Sequence, residues 1–190
     1  GFDEIYAQEN YPSEKVVNSF GVQDDFMYQY ALPILNERAG TGNPFFSVLL
    51  SISNHPPYVI PPYFHPHSDV LEEQIVEYAD WSIRQFMQAA EKQPWFDNTI
   101  FVFLGDHGKM VGTPECEMPQ SYNHIPLMIY GKDIKPGVYD GFGGQVDVSP
   151  TLLGLLNISY LQNNFGVNLL EEERPCMFFT ADNLIGARDS

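Results

Sequence analysis

Three stretches of apolar residues set the pattern of the chain. A continuous run at 45–53, β-rich and bounded by turn residues, predicts a strand that is buried on both faces, as in a parallel sheet. Between 70 and 93, apolar residues recur every three or four positions and predict the longest helix. A second continuous run at 99–104 predicts another buried strand. The order strand, helix, strand predicts a βαβ unit, and therefore a parallel sheet with a right-handed crossover.

The remaining elements continue this alternation. A helix that Asp24 or Asp25 can cap runs toward Arg38, and Pro33 predicts a break or kink in it. The apolar side of this helix comprises Phe26, Tyr30 and Leu35. The other predicted elements are a strand at 124–130, a helix that starts at Ser149 and Pro150 with Asp147 as a capping residue, and a short strand at 177–180. We therefore predict an α/β fold with a mostly parallel sheet flanked by helices.

Composition narrows the possible functions. The 190 residues suffice for one domain with a buried core, and the 44% apolar content excludes wholesale disorder. Nine Lys and Arg against 25 Asp and Glu give a net charge of −16, which argues against binding to nucleic acid or to anionic lipid through a basic patch. The two cysteines, Cys116 and Cys176, allow one disulfide or none.

The first residues and the apolar runs indicate whether the sequence is a whole protein or a piece of one. No apolar run reaches the ~20 residues that span a bilayer. The first residues lack the features of a signal peptide, and the sequence does not begin with Met. We therefore expect the sequence to be a piece of a longer protein.

Candidate chemistry lies at the ends of the predicted strands, because ligands of open α/β sheets gather beyond the carboxyl ends. Asp106 and His107 directly follow the second strand, between Gly105 and Gly108. A carboxylate and an imidazole that converge where the chain turns suit zinc, manganese or a comparable divalent ion. The alternative is a polar turn in which Asp106 caps the next segment and His107 is solvated.

Histidines offer further candidates. His55 follows the first predicted strand, and the prolines after it fix the loop, so it could donate to an anionic substrate or act as a general acid. The alternative is a loop histidine that is bonded to backbone. His124 precedes the third strand, where a role outside the site is favoured. His65 and His67 lie in a proline-rich loop and are interpreted as surface residues.

Several segments together resemble the sulfatase domain of the alkaline phosphatase superfamily, closest to phosphoglycerol transferases of the lipoteichoic acid synthase type. They are Ser-Ile-Ser-Asn-His-Pro-Pro-Tyr at 51–58, Asp-Asn-Thr-Ile-Phe-Val-Phe-Leu-Gly-Asp-His-Gly at 97–108, and the segments at 21–26, 124–131 and 146–153. The likeness covers roughly residues 18–157, in the family's order and spacing.

The resemblance implies roles for individual residues. Asp106 and His107 match the family's metal-binding pair, for Mn, Mg, Ca or Zn, and His55 matches a histidine near the transferred phosphate or sulfate. His124 stands where relatives carry a basic residue, so it is a less secure site candidate. The family reacts by two-step displacement, in which a hydroxyl nucleophile attacks the ester and a covalent intermediate is then released. We find no match to that nucleophile in this sequence.

These points combine into one expectation. Residues 1–190 form the C-terminal part of a single sulfatase-like domain whose N-terminal half is missing, and the fragment alone is inactive. The parent is expected to be a metal-dependent phosphoglycerol transferase that acts on an anionic ester outside the bacterial cytoplasm. Its expected partners are the missing half of the domain, a membrane anchor and a second copy bound through exposed surface. The alternatives are a sulfatase and a non-catalytic α/β module.

Overall fold

A computed structural model of the chain describes residues 1–109, 113, 116–118, 120–181 and 183–189. It divides into two compact units, Gly1–Thr99 and Ile100–Ser190. The first unit contains β1 (Val16–Asn18), β2 (Gly21–Val22), α1 (Asp24–Gly40) and α2 (Leu71–Ala90). The second contains β3 (Phe101–Leu104), α3 (Gln120–Asn123), β4 (Leu127–Tyr130), α4 (Gln145–Leu155), β5 (Cys176–Ala181) and β6 (Leu184–Asp189).

The core of the first unit lies between α1 and α2. Each helix buries residues about one turn apart, as a 3.6-residue period requires. Besides Asp24 and Asp25 in its first turn, α1 buries Met27, Ala31 and Leu35, and α2 buries Ile75, Tyr78, Ser82, Phe86 and Ala90. The predicted helix at 70–93 is therefore confirmed, apart from its ends. Trp95 closes the core, and its indole Nε1 donates to Asn36 at 2.6 Å.

Helix α1 differs from its prediction in three respects. It continues through Pro33 from Asp24 to Gly40 without a break. Asp24 and Asp25 belong to the helix, Gln23 is the residue before its first turn, and Asp25 Oδ1 accepts the first-turn N–H of Phe26 at 2.8 Å. Of the predicted apolar side, only Leu35 is fully buried, because Phe26 and Tyr30 pack against the ring of Tyr11 instead.

The prediction of a buried strand at 45–53 is wrong for this structure. Residues 45–52 form no regular element, and the side chains of Phe46, Val48 and Leu50 are 73%, 60% and 75% exposed. The physical reason is that none of the strands within the described ranges pairs with this segment, so no neighbouring strand covers its apolar faces. The βαβ unit that depended on it is absent from the described residues.

The described strands pair in three separate two-stranded sheets, β1–β2, β3–β4 and β5–β6, and each pair is antiparallel. Phe101 lies opposite Tyr130 and Leu104 opposite Leu127 in the second of them. The predicted strands at 99–104, 124–130 and 177–180 are confirmed as β3, β4 and β5, with shifted ends. The mostly parallel sheet is not found among these pairs, because its first strand is the unpaired segment 45–53.

Helix α4 begins four residues before the predicted Ser149, with Gly144 as the residue before its first turn. Asp147 lies inside the first turn and accepts the backbone N–H of Gly144 at 2.8 Å, so its predicted capping role is confirmed one turn earlier. The same carboxylate is fully buried and receives Arg174 and the N–H of Val167. Across the described part of the chain, no helix is both long and apolar enough to cross a membrane.

Candidate functional site

Asp106 and His107 lie in an exposed turn directly after β3, where the sequence predicts them. The backbone N–H of His107 donates to Asp106 Oδ1 at 2.9 Å, which fixes the carboxylate against the turn. The other carboxylate oxygen, Oδ2, lies 3.7 Å from Nε2 of His107. The turn therefore presents one carboxylate oxygen and one imidazole nitrogen side by side.

The imidazole of His107 is oriented by its other nitrogen. Nδ1 lies 2.7 Å from the carbonyl oxygen of Gly108, and because a carbonyl only accepts, Nδ1 carries the proton. Nε2 is then the nitrogen that can bind a metal. The ring of Tyr122 stacks on the imidazole at a centroid distance of 5.3 Å and limits its rotation.

This donor pair fits a divalent ion. Protein ligands bind zinc at roughly 2.0–2.2 Å, so donors 3.7 Å apart can reach a single ion. A neutral imidazole nitrogen and a carboxylate oxygen also suit manganese. Elsewhere in the described ranges, no three His, Cys, Asp or Glu side chains group as metal ligands would. Asp106 and His107 alone thus supply part of a coordination shell.

Neighbouring segments of the second unit hold this turn in place. The Gln145 side chain, at the start of α4, donates from Nε2 to the carbonyl oxygens of Asp106 and Gly105, at 2.8 and 3.2 Å. The N–H of Gly108 donates to the carbonyl of Tyr122 at 2.8 Å. A Cβ on Gly108 would collide with the carbonyl oxygen of Ser121, so glycine is required there by close approach. A Cβ on Gly105, by contrast, would lie at an ordinary contact distance from the side chain of Ile125.

His55 belongs to the first unit and is exposed in a tight turn. Its backbone N–H donates to the carbonyl of Ile52 at 3.0 Å. Nδ1 lies 2.7 Å from the carbonyl oxygen of Pro56 and therefore carries a proton, which leaves Nε2 for a substrate. The ring of Phe20 packs on the imidazole at 4.2 Å. The hydrogen bond to backbone that is expected of a loop histidine is thus present. It occupies Nδ1 and leaves Nε2 outside this bond.

A polar network under this turn was not predicted from the sequence. Oδ1 of the buried Asp24 accepts the N–H groups of Ile52 and Ser53, both at 2.9 Å. The N–H of Asp24 donates to Ser53 Oγ at 3.1 Å, and that hydroxyl donates to Oε1 of Gln23. The only sequence signal was a pair of aspartates at a helix start, and it was interpreted as capping.

The other candidate histidines are placed differently. His124 is exposed between α3 and β4, and its role in the site stays a prediction. His67 lies in the proline-rich loop, almost fully exposed, with Nδ1 3.2 Å from Oε2 of Glu77. Hydrogen bonds from the backbone and ring of His67 outweigh desolvation and lower the pKa of Glu77. His65 is exposed nearby in the sequence. The surface interpretation of the last two residues agrees with these positions.

The fold and these motifs have known relatives. The whole chain superposes on a protein of the alkaline phosphatase superfamily from Vibrio parahaemolyticus with a TM-score of 0.88 and 28% identity, covering 48% of that chain. It covers 50% of the lipoteichoic acid synthase LtaP from Listeria monocytogenes, with a TM-score of 0.80 and 26% identity over 94% of this chain. The fold is therefore that of the alkaline phosphatase superfamily.

Within that superfamily, the model of the family described as Sulfatase matches residues 1–158, and the chain belongs to the sulfatase family. Lipoteichoic acid synthases 1 and 2 of Bacillus subtilis are 25% and 26% identical to it, over 91% and 98% of this chain. The chain spans only 30% and 31% of their lengths. The family that the sequence motifs predict is thereby confirmed.

Proposed function

We propose that the chain is part of the catalytic domain of a phosphoglycerol transferase of the lipoteichoic acid synthase type. The parent enzyme transfers a phosphoglycerol group from an anionic phosphate ester to a polymer of the bacterial envelope, outside the cytoplasm. The observation that carries the proposal is the side-by-side placement of Asp106 Oδ2 and His107 Nε2, 3.7 Å apart at the end of β3. Names of relatives support transfer of this kind, since several are lipoteichoic acid synthases.

Asp106 and His107 hold a divalent ion in this proposal. When bound, such an ion would supply positive charge that stabilises the negative ester oxygens and favours loss of the proton from the attacking hydroxyl. Such charge is needed because the chain itself carries a net charge of −16 and only 9 Lys and Arg. Gly108 orients His107 through its carbonyl, and Gln145 orients the backbone of Asp106.

His55 contributes to the handling of the ester. Its Nδ1 donates to the backbone carbonyl of Pro56, so Nε2 is the ring nitrogen left to interact with the ester. In the protonated imidazole, Nε2 donates a hydrogen bond to an anionic oxygen or a proton to a leaving alcohol. The attacking hydroxyl lies outside these 190 residues in the proposal. The isolated chain is therefore expected to bind metal weakly and to turn over no substrate.

The activity test uses the longer protein that carries this chain. Asp106→Ala, His107→Ala and His55→Ala are each assayed for transfer of glycerol phosphate from a glycerophospholipid donor to an added alcohol acceptor, a reaction that frees the lipid alcohol of the donor. We expect each to lower kcat/KM on the order of 100-fold or more, because each removes a group that acts on the reacting ester. The matched controls are His65→Ala and Asp140→Ala, which change exposed residues of the same types and should keep wild-type rates. Undiminished activity of Asp106→Ala would exclude the proposed metal role.

A second substrate separates the two chemical classes within the family. The same protein is offered a sulfate ester such as p-nitrophenyl sulfate, because the matching family is described as Sulfatase. Transfer of phosphoglycerol to the alcohol acceptor, without sulfate release, supports the transferase. Sulfate release that depends on Asp106, with no reaction of the phospholipid, would replace the proposal by a sulfuric ester hydrolase.

A further inference from the structure

We propose that Asp24 is a positioning residue for His55, an inference that rests on the proposed role of His55 in ester chemistry. The two residues are 31 positions apart and do not touch through their side chains. Asp24 acts instead on the backbone of the turn that carries His55. Its carboxylate is 2% exposed, and Oδ1 accepts the N–H groups of Ile52 and Ser53.

The turn is closed from both directions. The carbonyl of Ile52 accepts the N–H of His55 at 3.0 Å, while the N–H of the same Ile52 donates to Asp24 at 2.9 Å. One residue therefore links the buried carboxylate to the candidate catalytic histidine. The position of the His55 backbone follows from the position of Asp24, which helix α1 fixes at its first turn.

A reciprocal bond fixes the register of this contact. The N–H of Asp24 donates to Ser53 Oγ, and Ser53 Oγ donates to Gln23 Oε1 at 3.1 Å. Gln23 in turn donates from Nε2 to the carbonyl of Val59 at 2.8 Å, beyond the prolines that follow His55. The loop is thus attached to the start of α1 on both sides of the histidine.

The side chain of His55 depends on this backbone geometry. Its Nδ1 donates to the carbonyl of Pro56, which holds the proton on Nδ1 and leaves Nε2 toward the substrate. That bond needs the ring and the carbonyl of the next residue in one fixed arrangement. If Asp24 is removed, the turn relaxes, and the ring exchanges between both tautomers as exposed histidines do.

Asp25 offers a matched control. It is the next residue of α1, is 7% exposed and also lies in the first turn. Its carboxylate receives the hydroxyls of Tyr63 and Tyr78 and makes no contact with the 52–55 turn among the hydrogen bonds of the described residues. Replacing it removes the same charge at the same helix end and leaves the turn in place.

The first measurement is the ¹⁵N spectrum of the His55 ring in the longer protein that carries this chain, which reports the tautomer. Asp24→Ala and Asp24→Ser are expected to lose the Nδ1–H signature, whereas Asp24→Asn keeps it because its amide oxygen still accepts both N–H groups. Asp25→Ala is expected to keep the wild-type signature. In the longer protein, Asp24→Ala is expected to lower kcat on the order of 100-fold with little change in KM.

Three results would overturn the inference. The first is an unchanged His55 tautomer in folded Asp24→Ala or Asp24→Ser. The second is the same loss in Asp25→Ala. The third is collapse of the fold in both Asp24 variants while Asp25→Ala stays folded, which would assign Asp24 to stability alone. The spectra do not depend on catalysis, so a parent enzyme that fails to transfer glycerol phosphate would contradict the proposed function and leave this test intact.

Discussion

Nε2 of Gln145 donates a hydrogen bond of 2.8 Å to the backbone carbonyl of Asp106, so the first residue of α4 holds the turn that carries the candidate metal ligands. Partners of this kind orient a ligand before the ion arrives, and their loss typically costs 10- to 100-fold in metal affinity. Asp24 and Gln145 thus play parallel parts, since each stands at the start of a helix and bonds the backbone next to a candidate site residue.

The Gln145→Ala variant should weaken metal binding without removing a ligand. We expect the Mn²⁺ affinity of the longer protein, measured by calorimetric titration, to fall about 10-fold, because the turn becomes free to move. Gln162→Ala is the control, since its side-chain amide bonds the carbonyls of Asn164 and Gly166 instead. Equal affinities for the wild type and Gln145→Ala would show that the turn is held without this amide.

The two glycines around the Asp106–His107 pair should respond differently to a methyl group. Gly108→Ala places Cβ against the carbonyl of Ser121, so the backbone must shift, at a cost of about 1–3 kcal/mol. The shift also separates the carbonyl of residue 108 from His107 Nδ1 and should weaken Mn²⁺ binding. Gly105→Ala is the control, because its Cβ would lie 3.5 Å from the Ile125 side chain, an ordinary contact. Similar stability and affinity in the two variants would contradict this reading.

The sequence predicted those parts of the fold that a local pattern encodes. The period of apolar residues located α2, and continuous apolar runs located β3 and β4, because these signals depend only on near neighbours in the chain. The Asp106–His107 pair was found for the same reason, since it follows a strand directly. The prediction for 45–53 failed because the segment has the composition of a buried strand but no partner strand in the described residues. Whether a partner strand is present depends on residues far away in the sequence.

The supports of the candidate site could not be predicted for that same reason. The bonds from Ile52 and Ser53 to Asp24 join residues 28 and 29 positions apart, and the bond from Gln145 to Asp106 joins residues 39 apart. Nothing in the local sequence marks such pairs, because an aspartate at a helix start or a glutamine in its first turn is ordinary there. The buried positions of Asp24 and Asp147 become unusual only once the tertiary structure is known.

Within the core of the first unit, the hydroxyl of Tyr78 should contribute measurably to stability. It is fully buried and donates to Asp25 Oδ1 at 2.5 Å, and burial together with this bond raises the pKa of Tyr78. Tyr78→Phe is expected to lower the free energy of unfolding by about 1.5–3 kcal/mol, as for a hydrogen bond to a charged group. Urea unfolding followed by tryptophan fluorescence measures it, because the ring of Trp81 stacks on that of Tyr78 at 5.9 Å.

Tyr63→Phe is the control for this bond. Its hydroxyl donates to the other oxygen of Asp25 at 2.8 Å, but the side chain is 58% exposed, so water can replace the lost bond. Partial desolvation of the hydroxyl and its bond to Asp25 raise the pKa of Tyr63 to about 12, so both hydroxyls are protonated donors at neutral pH. A larger loss of stability in Tyr63→Phe than in Tyr78→Phe would show that burial does not set the strength of these bonds.

The carboxylate of Asp147 should make the second unit sensitive to acid. Burial alone would favour the neutral acid, but hydrogen bonds from Arg174, Val167 and Gly144 outweigh it and lower the pKa of Asp147 below its ordinary 3.8. Because the folded pKa lies below the unfolded one, this contribution is fully present above about pH 4 to 5 and is lost as the pH falls through the folded pKa. Hydrogen exchange of the Val167 amide, which donates to Asp147 at 2.8 Å, reports the loss locally.

Two variants distinguish this ion pair from general acid denaturation. Arg174→Ala leaves a fully buried charge without its partner and is expected to destabilise the unit by about 3 kcal/mol at pH 7. Asp147→Asn, also destabilised at pH 7, is expected to lose less stability than the wild type as the pH falls from 5 to 2, because the group at position 147 no longer titrates. If the free energy of unfolding falls equally steeply between pH 5 and pH 2 in Asp147→Asn and in the wild type, other carboxylates cause the loss of stability in acid. The pair joins α4, the helix whose Gln145 contacts Asp106, to the segment near 174.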